Sequence, residues 1–321
     1  MQATLQQKNM RRTYHLCWSG KDEAIFRTRE DYIHGIICLC IACHETGAKL
    51  LAYCFMSNHV HICLRSENVS AFIKAFRYAY SRYFNSKYGR RGRLGERQFF
   101  KTELHGLHHI IAVISYILRN PVHHGICRTP FEYEFSSVTA AFATELGNVM
   151  ENKGPNGKIP YWQIPSRHTL PQNIIVSYNG NILPCSVIDT ADLEHQFSTA
   201  RTYLYFLNRL SGEEWEKEQN KDNSGKPPIK IEDIEAGIKG TTVRQMLANE
   251  SGRNKTAGIN DIELCTLIDE MVARLHSGAT VYTITPKQKD TVAAQISKKH
   301  HYTSEQISRC LHACHDARKT T

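Results

Sequence analysis

The 321-residue sequence lacks any apolar run of about 18 residues, so no membrane-spanning helix is expected. The opening MQATLQQKNMRRTYHL carries basic residues but not the apolar stretch a secretory signal needs, so a cytoplasmic protein is expected. An even cysteine count is also missing. Eleven cysteines cannot all pair, which argues against a complete disulfide framework. Most sit in apolar patterns (Cys17, Cys54, Cys63, Cys127, Cys265), where a free thiol behaves as a small hydrophobe. CLCIAC (Cys38, Cys40, Cys43) has no second cluster at zinc-site spacing, and reads as core packing in a reducing compartment. No internal repeat is present, which excludes solenoid and propeller architectures. Acids are nearly absent from one stretch: between Lys74 and Lys101 there are nine bases and a single acid, Glu96.

What is present fits a globular protein, with 41% hydrophobic and 22% charged residues. The net charge of +9 makes a polyanionic partner plausible. Nearly all of that excess lies in the 74–101 stretch, where Lys74, Arg77, Arg82, Arg90, Arg91, Arg93 and Arg97 could follow a phosphate backbone. The exposed members of Tyr78, Tyr88 and Phe99 could stack on unpaired bases. The blander reading is a solvated basic face that aids solubility.

Along the chain, Thr13–Ser19 alternates like a strand, and Arg29–Thr46 has helical spacing ending at Gly47. Lys49–Met56 and Asn58–Arg65 read as two strands around a polar break. A helix is expected over Val69–Tyr88, a Gly/Arg turn after it, and a strand over Arg97–Leu104. A further helix, Gly106–Arg119, is expected to stop before Pro121. The order β-α-β-β-α-β-α predicts an α+β fold with an antiparallel sheet and packed helices. Four units are expected: 1–150, a proline-rich linker at 151–171, an accessory module with a charged link at 172–228, and a helical unit at 229–321. Within the accessory module NIIVSYNGNIL reads as strand and Asp192–Leu210 as helix. The last two helices, the second capped by Thr303 or Ser304, resemble a helix-turn-helix DNA-binding unit.

The chemistry concentrates in two places. In NHVHI, residues two apart on a strand project together, so His59 and His61 share a face while Val60 and Ile62 point the other way. They are either two ordinary polar positions or two metal ligands aimed at one point. In SYILRNPV, Tyr116 and Asn120 stand one helical turn apart. A hydroxyl there could be a nucleophile and the amide oxygen a ligand, but with fifteen tyrosines chemistry alone does not select this one.

The combination is more specific than its parts. NHVHI on a strand, a basic helix and turn, then YILRNPV about 55 residues later resembles the single-tyrosine HUH transposases of the IS200-like type, and among them the REP-associated tyrosine transposases. LAYCFMSNHVHICL, GERQFF and PFEYEFSS add to the resemblance, which spans roughly residues 11–145. It implies a ferredoxin-like HUH nuclease domain with Tyr116 as nucleophile. It also implies a divalent ion, Mg²⁺ or Mn²⁺, held by His59, His61 and Asn120. The implied reaction cleaves single-stranded DNA through a 5′-phosphotyrosine and rejoins it, at hairpins or repeats, in a nucleoid-associated enzyme that could be a homodimer. Mg²⁺ favours oxygen over imidazole, so the identity of the ion stays open. Departures are Ser57 where the family usually has proline, HHGIC after NPV, and Phe135 where it usually has tryptophan; none removes a group that does chemistry. The other reading is a domesticated, non-cleaving DNA-binding protein or repressor on the same fold.

Overall fold

The computed structural model describes residues 11–21, 23–148, 170–177, 180–208, 234, 260–299 and 302–313. Four strands form one antiparallel sheet: β1 (Arg12–Ser19), β2 (Lys49–Phe55), β3 (His59–Ser66) and β4 (Phe100–Leu104), ordered β2-β3-β1-β4. Helix α1 (Arg29–Thr46) connects β1 to β2, α2 (Val69–Lys87) connects β3 to β4, and α3 (Gly106–His123) follows. This is the expected α+β arrangement, with the strand order of a ferredoxin-like unit.

Helix α1 begins where Asp31 accepts from the Thr28 amide, and ends at Gly47, whose φ of 66° suits a residue without Cβ. CLCIAC lies within it. Cys38 and Cys40 are buried, and burial pushes both thiols well up; it raises that of Cys43 to about 12. Among the described residues no group of three or more His, Cys, Asp or Glu could hold a metal ion.

Register decides which side chains face which layer. Cys17 pairs with His61 and Ser19 with His59, so His15, Cys17 and Ser19 share the histidine face. Trp18, opposite Val60, points to the other face, where it meets Phe76 and Tyr80 of α2 edge-on. Phe55 joins this aromatic core through Phe26 and Phe76. Helices α1 and α2 thus cover the apolar face of the sheet, and α3 covers the histidine face.

Several boundaries differ from expectation. Pro121 lies inside α3, which runs on to His123. One missing amide costs little in a last turn whose Asn120 carbonyl still accepts from the His124 amide. Strand β4 starts at Phe100 rather than Arg97, because the preceding Gly/Arg turn is pinned to the end of β1 by the Glu96 amide on the Ser19 carbonyl, 2.8 Å. Gly95 in that turn has φ 61°, and a Cβ there would meet the Ser19 carbonyl at 2.8 Å.

Among its described residues the segment NIIVSYNGNIL holds a Val176–Ile182 bridge and no named strand, and the expected 192–210 helix is two, α4 (Thr190–Phe197) and α5 (Ala200–Asn208). They part at Ser198, which takes a φ of 63° that no helix continues. Val176, Ile188, Phe197 and Tyr203 join the same core as the sheet, and Lys49–Asp189 and Arg65–Asp192 ion pairs tie α4 to β2 and β3. Residues 151–169 of the expected 151–171 linker, and the 211–228 charged link, lie outside the described residues.

The C-terminal helices α6 (Asp261–Leu275), α7 (Pro286–Lys299) and α8 (Ser304–Leu311) form a second core around Leu264, Ile268, Val292, Ile296, Ile307 and Leu311. Thr303 caps α8, accepting from the Gln306 amide. Helix α8 buries Gln306, Ile307, Arg309, Cys310 and Leu311, and exposes Ser304 and Glu305. A groove-reading helix needs an outward basic face, and the α8 arginine is instead bound to Asp261. No described helix is long and apolar enough to cross a membrane.

Candidate active site

Strand β3 and helix α3 bring the four expected residues together within one chain. His59 and His61 present from the buried histidine face of β3. Asn120, wholly buried in the last turn of α3, places its side-chain oxygen 3.0 Å from His59 Nε2. Tyr116, one turn earlier and 6% exposed, sets its ring edge-on to His61 with centroids 5.6 Å apart.

The hydrogen bonds assign the imidazoles. Asn58 Nδ2 donates to the Lys21 carbonyl at 2.9 Å, which fixes the amide orientation. Asn58 Oδ1 is then the acceptor for His59 Nδ1–H at 2.8 Å, and His59 Nε2 is left with a lone pair. That lone pair faces another acceptor, Asn120 Oδ1. Flipping the Asn120 amide would cure this contact but strand its oxygen. As placed, its buried Nδ2 has no partner, and neither does His61 Nε2. His61 Nδ1 meets His15 Nε2 at 3.0 Å, an outer partner of the kind that orients a ligating imidazole.

Burial foremost, then the repulsion that protonated His59, His15, His124 and His123 would exert, pushes His61 well below its ordinary range. Burial lowers His15 to about 3. A buried neutral imidazole with an unmet nitrogen has a lone pair or an N–H to offer and no charge to pair.

Two imidazole nitrogens and an amide oxygen suit a borderline divalent ion. Ligands at right angles and about 2.1 Å from an ion stand about 3.0 Å apart, which is the His59–Asn120 spacing. No third imidazole or carboxylate completes the set among the described residues, so the remaining positions would fall to water or a phosphate.

Two residues at this site were not singled out from sequence. His15 sits on β1, where strand alternation puts it on the face of His61. His124 is buried with its ring 5.3 Å from that of His59 and its Nε2 unpaired. Burial first, then His59, lowers its pKa well below the ordinary range. The HHGIC departure carries it, and nothing in the periodicity marks the second histidine as inward-facing.

The basic residues are divided. Helix α2 starts just beyond the Ser66 end of β3 and runs back along the sheet, so its last turn lies near the His59 end. Lys74 is thus roughly 20 Å along the axis from Lys87. Lys74, Arg82, Arg91, Arg93 and Arg97 are exposed, while Arg77 and Arg90 are half-buried. Arg77 donates to the Arg97 carbonyl and lies over Trp18; Arg90 lies over Tyr282. The Arg90–Arg97 turn is held at the end of β1 that pairs with His59, whereas the α2 face lies across the sheet from Tyr116. Of the three candidate stacking rings, Tyr78 is 65% exposed. Tyr88 is buried and donates to Asp31, and Phe99 is stacked on Trp18, so neither offers a free face.

Residues 8–120 match the family model described as "Transposase IS200 like". This segment is similar to the IS200-like transposases. The match holds both β3 histidines and Tyr116, and ends on Asn120. A solved structure titled "Structure of the REP associates tyrosine transposase bound to a REP hairpin" is similar at 13% identity and a TM-score of 0.36, over 51% of this chain and 89% of that one. No curated protein matches the chain significantly.

Proposed function

We propose that the chain is a metal-dependent single-stranded DNA endonuclease and strand transferase with Tyr116 as nucleophile. The observation that carries this reading is the convergence of His59, His61, Asn120 and Tyr116 from two elements, with unmet buried polar atoms between them. His59, His61 and Asn120 would hold Mg²⁺ or Mn²⁺, which when bound offsets charge on the scissile phosphate and polarises it.

The residues of the chain do the rest. Packing of the Tyr116 ring against His61 limits where its hydroxyl can swing, and so orients it toward a phosphate held at the histidines. The phenol oxygen forms a bond to phosphorus as the bond to the 3′ oxygen breaks; the phenolic proton goes to solvent and the 3′ oxygen takes one up. A 5′-phosphotyrosine and a free 3′-hydroxyl result, and attack by that or another hydroxyl reverses the step. Bond energy is conserved in the tyrosine ester, so rejoining needs no external energy source.

Single-stranded DNA, as a hairpin or repeat, suits the exposed Arg91, Arg93 and Arg97 at the His59 end of the sheet, with Tyr78 as a stacking ring beyond them. The farther Lys74 and Arg82 would track flanking strand, and the half-buried Arg77 and Arg90 would support the surface.

The test incubates the full chain with a labelled single-stranded hairpin oligonucleotide and Mn²⁺. A covalent protein–DNA adduct is expected from the natural sequence and none from Tyr116→Phe. A chain that binds the hairpin but never forms the adduct would be the non-cleaving DNA-binding protein instead.

A further inference from the structure

The C-terminal helical unit reaches the active site through one turn. Ser57, immediately before Asn58–His59, donates its hydroxyl to Asp261 at the start of α6, 2.5 Å away. Asp261 is held in turn by α8: Arg309 Nε and Nη2 reach its two oxygens at 2.7 and 2.8 Å, and Gln306 Nε2 donates at 3.0 Å. Arg309 is 2% exposed, so this bidentate pair is shielded from water and geometrically strict.

A second path converges on the same turn. The Ser57 carbonyl accepts from the amides of Ile25 and Phe26 at 2.8 and 2.9 Å, and the Asn58 carbonyl accepts from Gly20. The 20–27 loop that supplies those amides is gripped by the end of α8. Buried Arg27 donates to the Cys310 carbonyl at 2.5 Å and to Asp269 at 2.6 Å, and the Ala24 amide donates to the Arg309 carbonyl. His312 bonds the Ala24 carbonyl at 2.8 Å. Ala24 itself belongs to the C-terminal core.

The turn matters because Asn58 sets the tautomer of His59. Its Oδ1 takes the Nδ1 hydrogen and thereby leaves the Nε2 lone pair facing Asn120. A turn free to rotate would let His59 carry its hydrogen on either nitrogen and point elsewhere.

We propose that the C-terminal helical unit is a clamp on the active site, with Asp261, acting through Ser57, as a positioning residue for His59. The proposal rests on the reading of His59 as a ligand, but its geometric part stands without it. Undocking of α6 and α8 would release Ser57 and disorder the ligand, so whatever occupies the C-terminal unit is sensed at β3.

The experiment uses the full chain and compares Ser57→Ala, Ser57→Thr and Asp261→Asn. Ser57→Ala leaves the Arg309–Asp261 pair in place and keeps the chain folded. Its readouts are the His59 tautomer, from imidazole nitrogen shifts, and the affinity for Mn²⁺ alone. Ser57→Ala should mix the tautomers and weaken Mn²⁺ binding about tenfold, the size expected of an outer-shell partner. Ser57→Thr should restore both, and Asp261→Asn should resemble Ser57→Ala. A single Nδ1–H tautomer with unchanged Mn²⁺ affinity in Ser57→Ala would overturn the clamp. So would an Asp261→Asn chain indistinguishable from the natural one. If the natural chain binds no Mn²⁺ but Ser57→Ala still loses the tautomer, the clamp holds and the proposed metal chemistry falls.

Discussion

Strand β3 has two buried faces with opposite accounts. Val60, Ile62 and Leu64 point into the α1–α2 side and His59, His61 and Cys63 to the α3 side, and all six are at most 2% exposed. The first face is apolar: its side chains meet aromatic rings, and the Trp18 indole nitrogen is buried there without a partner. The second holds imidazole nitrogens and an amide without partners, in a place where each such group costs about 1–3 kcal/mol. Burial is equal, so burial does not distinguish core from site. The clustering of unmet polar atoms from β1, β3 and the end of α3 does.

The difference can be broken from either side. The largest effect should come from Ile62→Ala, which removes wholly buried apolar volume and should cost about 2–5 kcal/mol, read as a lower melting temperature and denaturant midpoint. His61→Leu should do the reverse. It replaces an imidazole whose Nε2 has no partner, so stability should fall by less than about 1.5 kcal/mol or rise, while Mn²⁺ affinity collapses in a titration. If His61→Leu melts like Ile62→Ala, the two faces are both structural and the contrast drawn here is wrong.

A smaller effect sharpens the link to the C-terminal unit. Burial alone would raise the Asp261 carboxyl, yet Arg309, Ser57 and Gln306 together hold it below the ordinary carboxylate range. A depressed folded pKa contributes stability that is present above the unfolded value, near ~3.9, and is lost as pH falls through the folded value. The natural chain should therefore melt above Asp261→Asn at neutral pH, and the gap should narrow as pH drops below about 4. A gap constant from pH 7 to 3 would contradict the assignment. The smallest effect belongs to the surface: Lys74→Ala should weaken single-stranded DNA binding only a few-fold and reduce the salt slope by roughly one. An unchanged slope would put Lys74 off the strand path.

Much of the fold was legible because alternation and glycine stops are local signals. The order βαββαβα, the cap at Thr303 and the Gly47 stop all follow from residues near each other in sequence. The His59–His61 face was legible for the same reason, and Tyr116–Asn120 through helical spacing. What escaped depended on distant contacts. Tyr88 looked like a stacking ring until the buried Asp31 claimed its hydroxyl. The bond between Arg309 and Asp261, 48 residues apart, left no mark in the local pattern. His124 lies in the HHGIC departure, and only the packing of the end of α3 over β3 shows it beside His59. The break at Ser198 has no proline or glycine to announce it.

The most direct measurement is to digest the protein–DNA adduct and locate the nucleotide by mass spectrometry. The account predicts a single modified peptide carrying a 5′-phosphotyrosine at Tyr116, dependent on Mn²⁺ or Mg²⁺ and on His61. A nucleotide on any other tyrosine, or an adduct that persists in Tyr116→Phe, would contradict it.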